Sequence, residues 1–159
     1  MIQKEQTLKQ SSLSLNTKAN KELLEHQFLK IKEELSVLFQ KIQDQPLLKG
    51  EDPEILIQEM LKFLFLIGKY KTKLTPSLKV DYVWHEFILC TRFYMEFCNH
   101  NYERYIHHSP GGEKKENHQL YIKTLKLYFL EFGGAPIDIW GDYHQDNDQD
   151  ADCGSCFSS

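Results

Sequence analysis

The sequence is short of cysteine, of long apolar runs and of excess positive charge, and each shortage removes a class of protein. Only four of its 159 residues are cysteine. Cys90 and Cys98 lie in an aromatic stretch and Cys153 and Cys156 near the end, which is not the spread of a disulfide framework. The longest strongly apolar stretch, residues 60–67, is interrupted by Lys62 and falls far short of the roughly 20 residues a helix needs to cross a bilayer, so no membrane span is expected. The opening segment, with Lys4, Glu5, Lys9 and Lys18 among Gln, Ser and Asn, lacks the apolar centre and cleavage site of a secretory signal, and a cytoplasmic location is the expectation. Nineteen Lys and Arg stand against 23 Asp and Glu, a net charge of −4, so there is no footprint for a phosphate backbone and nucleic acid is not an expected partner. Gly-rich phosphate loops, a G-x-S-x-G elbow and H-E-x-x-H are all missing. His85 and Glu86 begin the last of these, but Leu89 stands where its second histidine belongs.

What is abundant is aromatic: ten Phe, eight Tyr and two Trp, enough to build a core and to exclude a wholly disordered chain. Residues 1–20 are polar and without sustained period and read as a flexible arm. From residue 21 the pattern changes. Leu24, Phe28, Ile31, Leu35, Leu38 and Ile42 step by four, three, four, three and four, one stripe of an amphipathic helix over residues 21–44. Asp52 before Pro53 is the arrangement of an N-cap followed by proline at the first helical position, and predicts a second helix to about residue 70. Its run of Phe63, Leu64, Phe65, Leu66 and Ile67 is apolar all round, which suits a central helix. A third helix is predicted from residue 76 or 77 to about 98, with Val83, Phe87, Cys90, Tyr94 and Phe97 as its stripe, then an ordered loop over 99–112 with a short extended piece at Tyr105 and Ile106. A fourth helix over 114–132 ends at Gly133 and Gly134, and residues 137–140 carry apolar side chains able to pack on the body. The expected fold is all-α: a small four-helix bundle-like domain over residues 21–140, flanked by the arm and by an acidic, Cys-containing tail over 141–159.

The candidate chemistry gathers around the third helix. Asp81 and His85 are four apart, on one helical face, where two metal-ligand types can converge on one ion. The plainer alternative is that Asp81 accepts a hydrogen bond from the imidazole and fixes its tautomer. His107 and His108 are adjacent in the loop and must point in different directions, so one of them faces inward. With Asp81 and His85 that one would make three N and O ligands and leave an open position, as catalytic zinc or non-haem iron uses; alternatively the pair only holds the loop. Cys90 and Cys98 lie on apolar faces and read as small core residues.

The stretch V-D-Y-V-W-H-E-F-I-L at 80–89, followed by Arg92, Tyr94, Phe97 and Cys98, then Y-I-H-H-S-P at 105–110 and the Phe132–Gly133 turn, resembles the core of the glycine-rich domain-containing protein-like family. The resemblance covers about residues 75–140. It implies a site built around Asp81, Trp84, His85, His107 and His108, with Trp84 as the ring a cofactor would touch, and it brings no reaction with it. The related plant motif often reads W-H-x-H, whereas Phe87 occupies the second histidine position here.

The tail ends in Cys153-Gly-Ser-Cys156, half of a common zinc motif; metal capture, intermolecular thiol chemistry and an end without a role all remain open. Asp146, Asp148 and Asp150 alternate as in a calcium loop, but Ala151 and Phe157 occupy the positions that need glycine and glutamate, which excludes an EF-hand. Six of the acidic residues follow Ile137, so residues 1–137 hold 19 basic against 17 acidic side chains and the acidity belongs to the appendage. Two functions follow as expectations. One is a helical domain binding zinc or iron through Asp81, His85 and one of His107 or His108, with Cys153 and Cys156 assisting. The other is a non-catalytic interaction module in which the same cluster is a structural polar network and the arm or acidic tail meets a protein partner.

Overall fold

Local signals decide where the helices begin. In the computed structural model, which describes residues 2–109 and 111–141, with side chains from Thr17 onward, the Asp52 carboxylate accepts a 2.8 Å bond from the Glu54 amide and starts a helix with Pro53 in its first turn. In chain order the helices are α1 (Ile2–Glu34), α2 (Ser36–Asp44), a 3-10 turn (Pro46–Leu48), α3 (Pro53–Tyr70), α4 (Leu78–Leu89), α5 (Thr91–Tyr102), α6 (Lys114–Phe132) and α7 (Ile137–Trp140), with no strand among the described residues. The all-α reading holds. Among these residues, no helix is long and apolar enough to cross a membrane.

The four expected helices are present, but two of them are in two pieces. The first breaks at Leu35 (φ −131°, ψ 48°), and neither glycine nor proline marks the break. Ile31, Leu35, Leu38 and Ile42 are all buried across it, so the stripe stays on the core while the backbone changes direction. The helix start expected at residue 21 lies within α1, whose helical backbone begins at Ile2. The third helix breaks at Cys90 (φ −80°, ψ 56°), and α5 then continues to Tyr102, four residues into the segment expected to be loop. No extended piece forms at Tyr105 and Ile106; a tyrosine hydroxyl, described below, satisfies the Ile106 carbonyl instead.

α3 is the central helix, as its all-round apolar run implies: Leu56, Ile57, Met60, Phe63, Leu64 and Leu66 are fully buried between α1, α2, α4 and α6. Its one buried carboxylate, Glu59, was not singled out by the sequence. Glu59 Oε2 accepts from Tyr128 Oη at 2.7 Å and from Trp140 Nε1 at 2.8 Å, while Oε1 takes Lys62 Nζ at 2.7 Å. One carboxylate on α3 thus fixes both α6 and the short α7, and every bond it accepts offsets the cost of burying it. The packing expected for residues 137–140 is found: Ile139 and Trp140 are buried, and the Tyr121 hydroxyl bonds the Trp140 carbonyl.

Candidate metal centre

The site is built where α4 starts and where the 103–113 loop returns across it. Ser77 Oγ caps α4 by accepting from the Val80 amide, and the preceding Thr75 is tied to α6, its amide donating to Thr124 Oγ1 at 3.2 Å and its carbonyl accepting from the same hydroxyl at 2.8 Å. These bonds hold the first turn of α4, and with it Asp81, whose side chain is only 3% exposed.

The loop is held by a different device. Trp84 Nε1 donates to Tyr94 Oη at 3.0 Å, and Tyr94 Oη donates to the Ile106 carbonyl at 2.7 Å. Residues ten apart in one straight helix are separated by about 15 Å along the axis, so this contact exists only because the chain breaks at Cys90 and folds α5 back on α4. Burial pushes the Tyr94 phenol well above its ordinary range, which keeps it the neutral donor this relay requires.

With Ile106 pinned and buried, the two histidines that follow diverge. His108 turns inward: its Nε2 lies 2.8 Å from Asp81 Oδ1, its ring centroid 4.1 Å from that of His85 and 4.6 Å from the Trp84 ring. His107 is exposed and its ring lies 4.7 Å from that of Tyr105. The inward histidine of the pair is therefore His108. His85 Nδ1 is 2.8 Å from the Asp81 carbonyl oxygen and 3.4 Å from Asp81 Oδ2. A carbonyl can only accept, so Nδ1 carries the proton and Nε2 keeps its lone pair. One donor atom from each of Asp81, His85 and His108 lies within 4.8 Å of the other two, an arrangement able to hold a metal ion.

A cavity of about 340 Å³ opens beside this cluster. Asp81, Trp84, His107 and His108 line it, whereas His85 does not, so two of the three clustered residues belong to the cavity wall. Lys71, Lys73, Arg104 and Glu116 also line it, none of which the sequence had connected with the histidines. A larger hollow of about 870 Å³ lies between α1, α3 and α6 and has no histidine or cysteine on its walls.

Of the two cysteines expected as core residues, only Cys98 is one. Cys98 is fully buried and Cys90 half-buried, and burial raises both thiols above their ordinary range, away from the thiolate that nucleophilic chemistry needs. Cys153 and Cys156 lie outside the described residues, as does the acidic tail beyond Gly141.

Comparison with known proteins corrects the family. Neither the curated proteins nor the solved structures gave a match. A family model described as UCP032817-like matches residues 21–130, from within α1 to near the end of α6. The likeness to the glycine-rich domain-containing proteins, drawn over about residues 75–140, is thereby overturned, because the model that matches is that of a different family. Because that match spans more than half of its length, the chain belongs to the UCP032817-like family.

Proposed function

We propose that this domain binds a divalent transition metal, zinc or iron, through Asp81, His85 and His108, with an open coordination position. The observation that carries the reading is the convergence of two imidazoles and a buried carboxylate, brought from α4 and a distant loop to within 4.8 Å of one another. Two nitrogens and one oxygen suit zinc and also the two-histidine, one-carboxylate set of non-haem iron. The 2.8 Å between His108 Nε2 and Asp81 Oδ1 is within several tenths of an ångström of the roughly 3.3 Å edge that two ligands span on a tetrahedral zinc with bonds of about 2.0–2.1 Å. Trp84 packs against the His108 ring and limits its swing, and the His85 Nδ1 bond to the Asp81 carbonyl presets the tautomer.

A second reading is favoured by one observation. The His108–Asp81 hydrogen bond at 2.8 Å already satisfies the buried carboxylate, as a purely structural network would require. Metal analysis of the purified full chain separates the two. The metal reading expects about one zinc or iron per chain, lost in His85→Ala and in His108→Ala while the circular dichroism spectrum stays helical, and retained when Cys153 and Cys156 are both changed to serine. Folded protein that takes up no metal on incubation with either ion sinks it and leaves the structural network.

A further inference from the structure

The cavity beside the cluster has a chemistry of its own. Three cations stand on its wall: Lys71 at the C-cap of α3, Lys73 in the following segment and Arg104 in the loop after α5. Two carboxylates oppose them. Asp81 is directed to the histidines, and Glu116 lies 3.7 Å from Lys73. Among the described residues neither Lys71 nor Arg104 has a carboxylate within 4.0 Å, and Arg104 spends one N–H on the Ile67 carbonyl at 2.9 Å, which leaves other donors of its guanidinium available. The wall is mixed: Leu74, Trp84, Ile106 and Leu120 give it apolar surface, and Thr72, Thr75, Ser109 and Asn117 line it as well. One stretch of the wall has a backbone that needs glycine: Gly112 has φ +115°, and a Cβ there would come within 2.9 Å of Asn117 Oδ1. A volume of about 340 Å³ is at the lower end of the range for small-molecule sites, roughly 300–1,000 Å³.

We propose that this cavity binds a small organic oxyanion, its charged group held by Lys71, Lys73 and Arg104 and its apolar body against Trp84 and Ile106. The site goes beyond the metal reading and stands without it, since the cations and the apolar surface belong to the protein alone. Carboxylate and phosphate monoester share this chemistry, and the test distinguishes them.

The experiment titrates full-length, chelator-treated protein with benzoate, phenyl phosphate and the neutral benzamide, by calorimetry and by quenching of tryptophan fluorescence. One of the two anions is expected to bind at least about tenfold more tightly than benzamide, a difference of roughly 1.4 kcal/mol, and which of them does so names the anion class. Lys71→Gln combined with Lys73→Gln, both at exposed positions, should weaken that anion about five- to tenfold, and Glu116→Gln should tighten it about two- to fivefold by removing the competing charge. Equal affinity for benzamide, no saturation by either anion, or a double lysine variant that binds as wild type would each overturn the proposal. Because the metal has been stripped, none of these outcomes bears on whether the cluster holds an ion, and Arg104, which also tethers α3, is left intact so that folding is not in question.

Discussion

Tyr94→Phe is the substitution with the widest consequence, since one hydroxyl joins α4, α5 and the histidine loop. Its loss leaves Trp84 Nε1–H, on a ring 4% exposed, without an acceptor, and the carbonyl of the 3% exposed Ile106 without its donor. An orphaned buried donor costs about 1–3 kcal/mol and a lost carbonyl bond about 1 kcal/mol. The smaller desolvation cost of phenylalanine offsets part of this, so a net loss of about 2–3 kcal/mol is expected. Equilibrium urea unfolding reads it directly: with a slope of roughly 1–3 kcal/mol per molar, the midpoint should fall by about 1 M with the slope unchanged. The loop that carries His108 is also released, and metal affinity should fall about tenfold, the usual scale for losing a supporting contact. Tyr105→Phe, on an exposed ring, serves as control and should change neither quantity. A Tyr94→Phe protein within about 0.5 kcal/mol of wild type would refute the argument that this relay holds the loop.

Three other outcomes follow. Gly68→Ala would improve helix propensity by about 1 kcal/mol in isolation, but its Cβ would lie 2.4 Å from the Tyr102 ring; a net destabilisation of about 1–3 kcal/mol by overpacking is expected in thermal or urea unfolding, and a stabilised variant would contradict the close approach of α5 to α3. Glu59→Ala removes the acceptor of both Trp140 and Tyr128 and should cost about 2–4 kcal/mol, with loss of the tryptophan signal in near-ultraviolet circular dichroism as α7 undocks; an unchanged spectrum would show that α7 docks without it. The pH dependence is set by phenols at the alkaline end. Tyr70 is pushed up to about 12, chiefly by its bond to Glu131, and burial raises Tyr94, Tyr102 and Tyr128 as well. Above pH about 10 the unfolded chain therefore releases phenolic protons that the folded protein retains. Stability from these groups is complete below that pH and declines as pH rises toward 12; a flat unfolding free energy between pH 9 and 11.5 would contradict the shifts.

Much of the fold was legible because its signals are local. Asp52 with Pro53, the all-apolar run in α3 and the stripe through Ile42 each report on a few neighbouring residues, and each was realised. The two breaks were not legible. Leu35 and Cys90 are neither glycine nor proline, and the apolar spacing runs unbroken through both, so periodicity alone predicts straight helices. Asp81 and His85 could be paired from helical geometry, and one histidine of the next pair could be expected to face inward. Which one it would be depended on the Tyr94 relay, which in turn depended on the break at Cys90. Glu59 went unnoticed for a similar reason: the two partners that tie it to α6 and α7 are 69 and 81 residues away, beyond any local pattern. The cations of the cavity come from α3's end, the next segment and the loop after α5, and only the folded chain puts them together.

X-ray absorption at the metal edge of reconstituted protein tests the central claim most directly, because it reads the donor atoms themselves. Coordination by Asp81, His85 and His108 predicts nitrogen and oxygen scatterers at about 2.0–2.2 Å with the outer-shell pattern of two imidazoles and no sulfur, and loss of that pattern in His85→Ala. A sulfur shell at about 2.3 Å, which would move the ion to cysteine, or a spectrum unchanged by the His85 substitution, would contradict it.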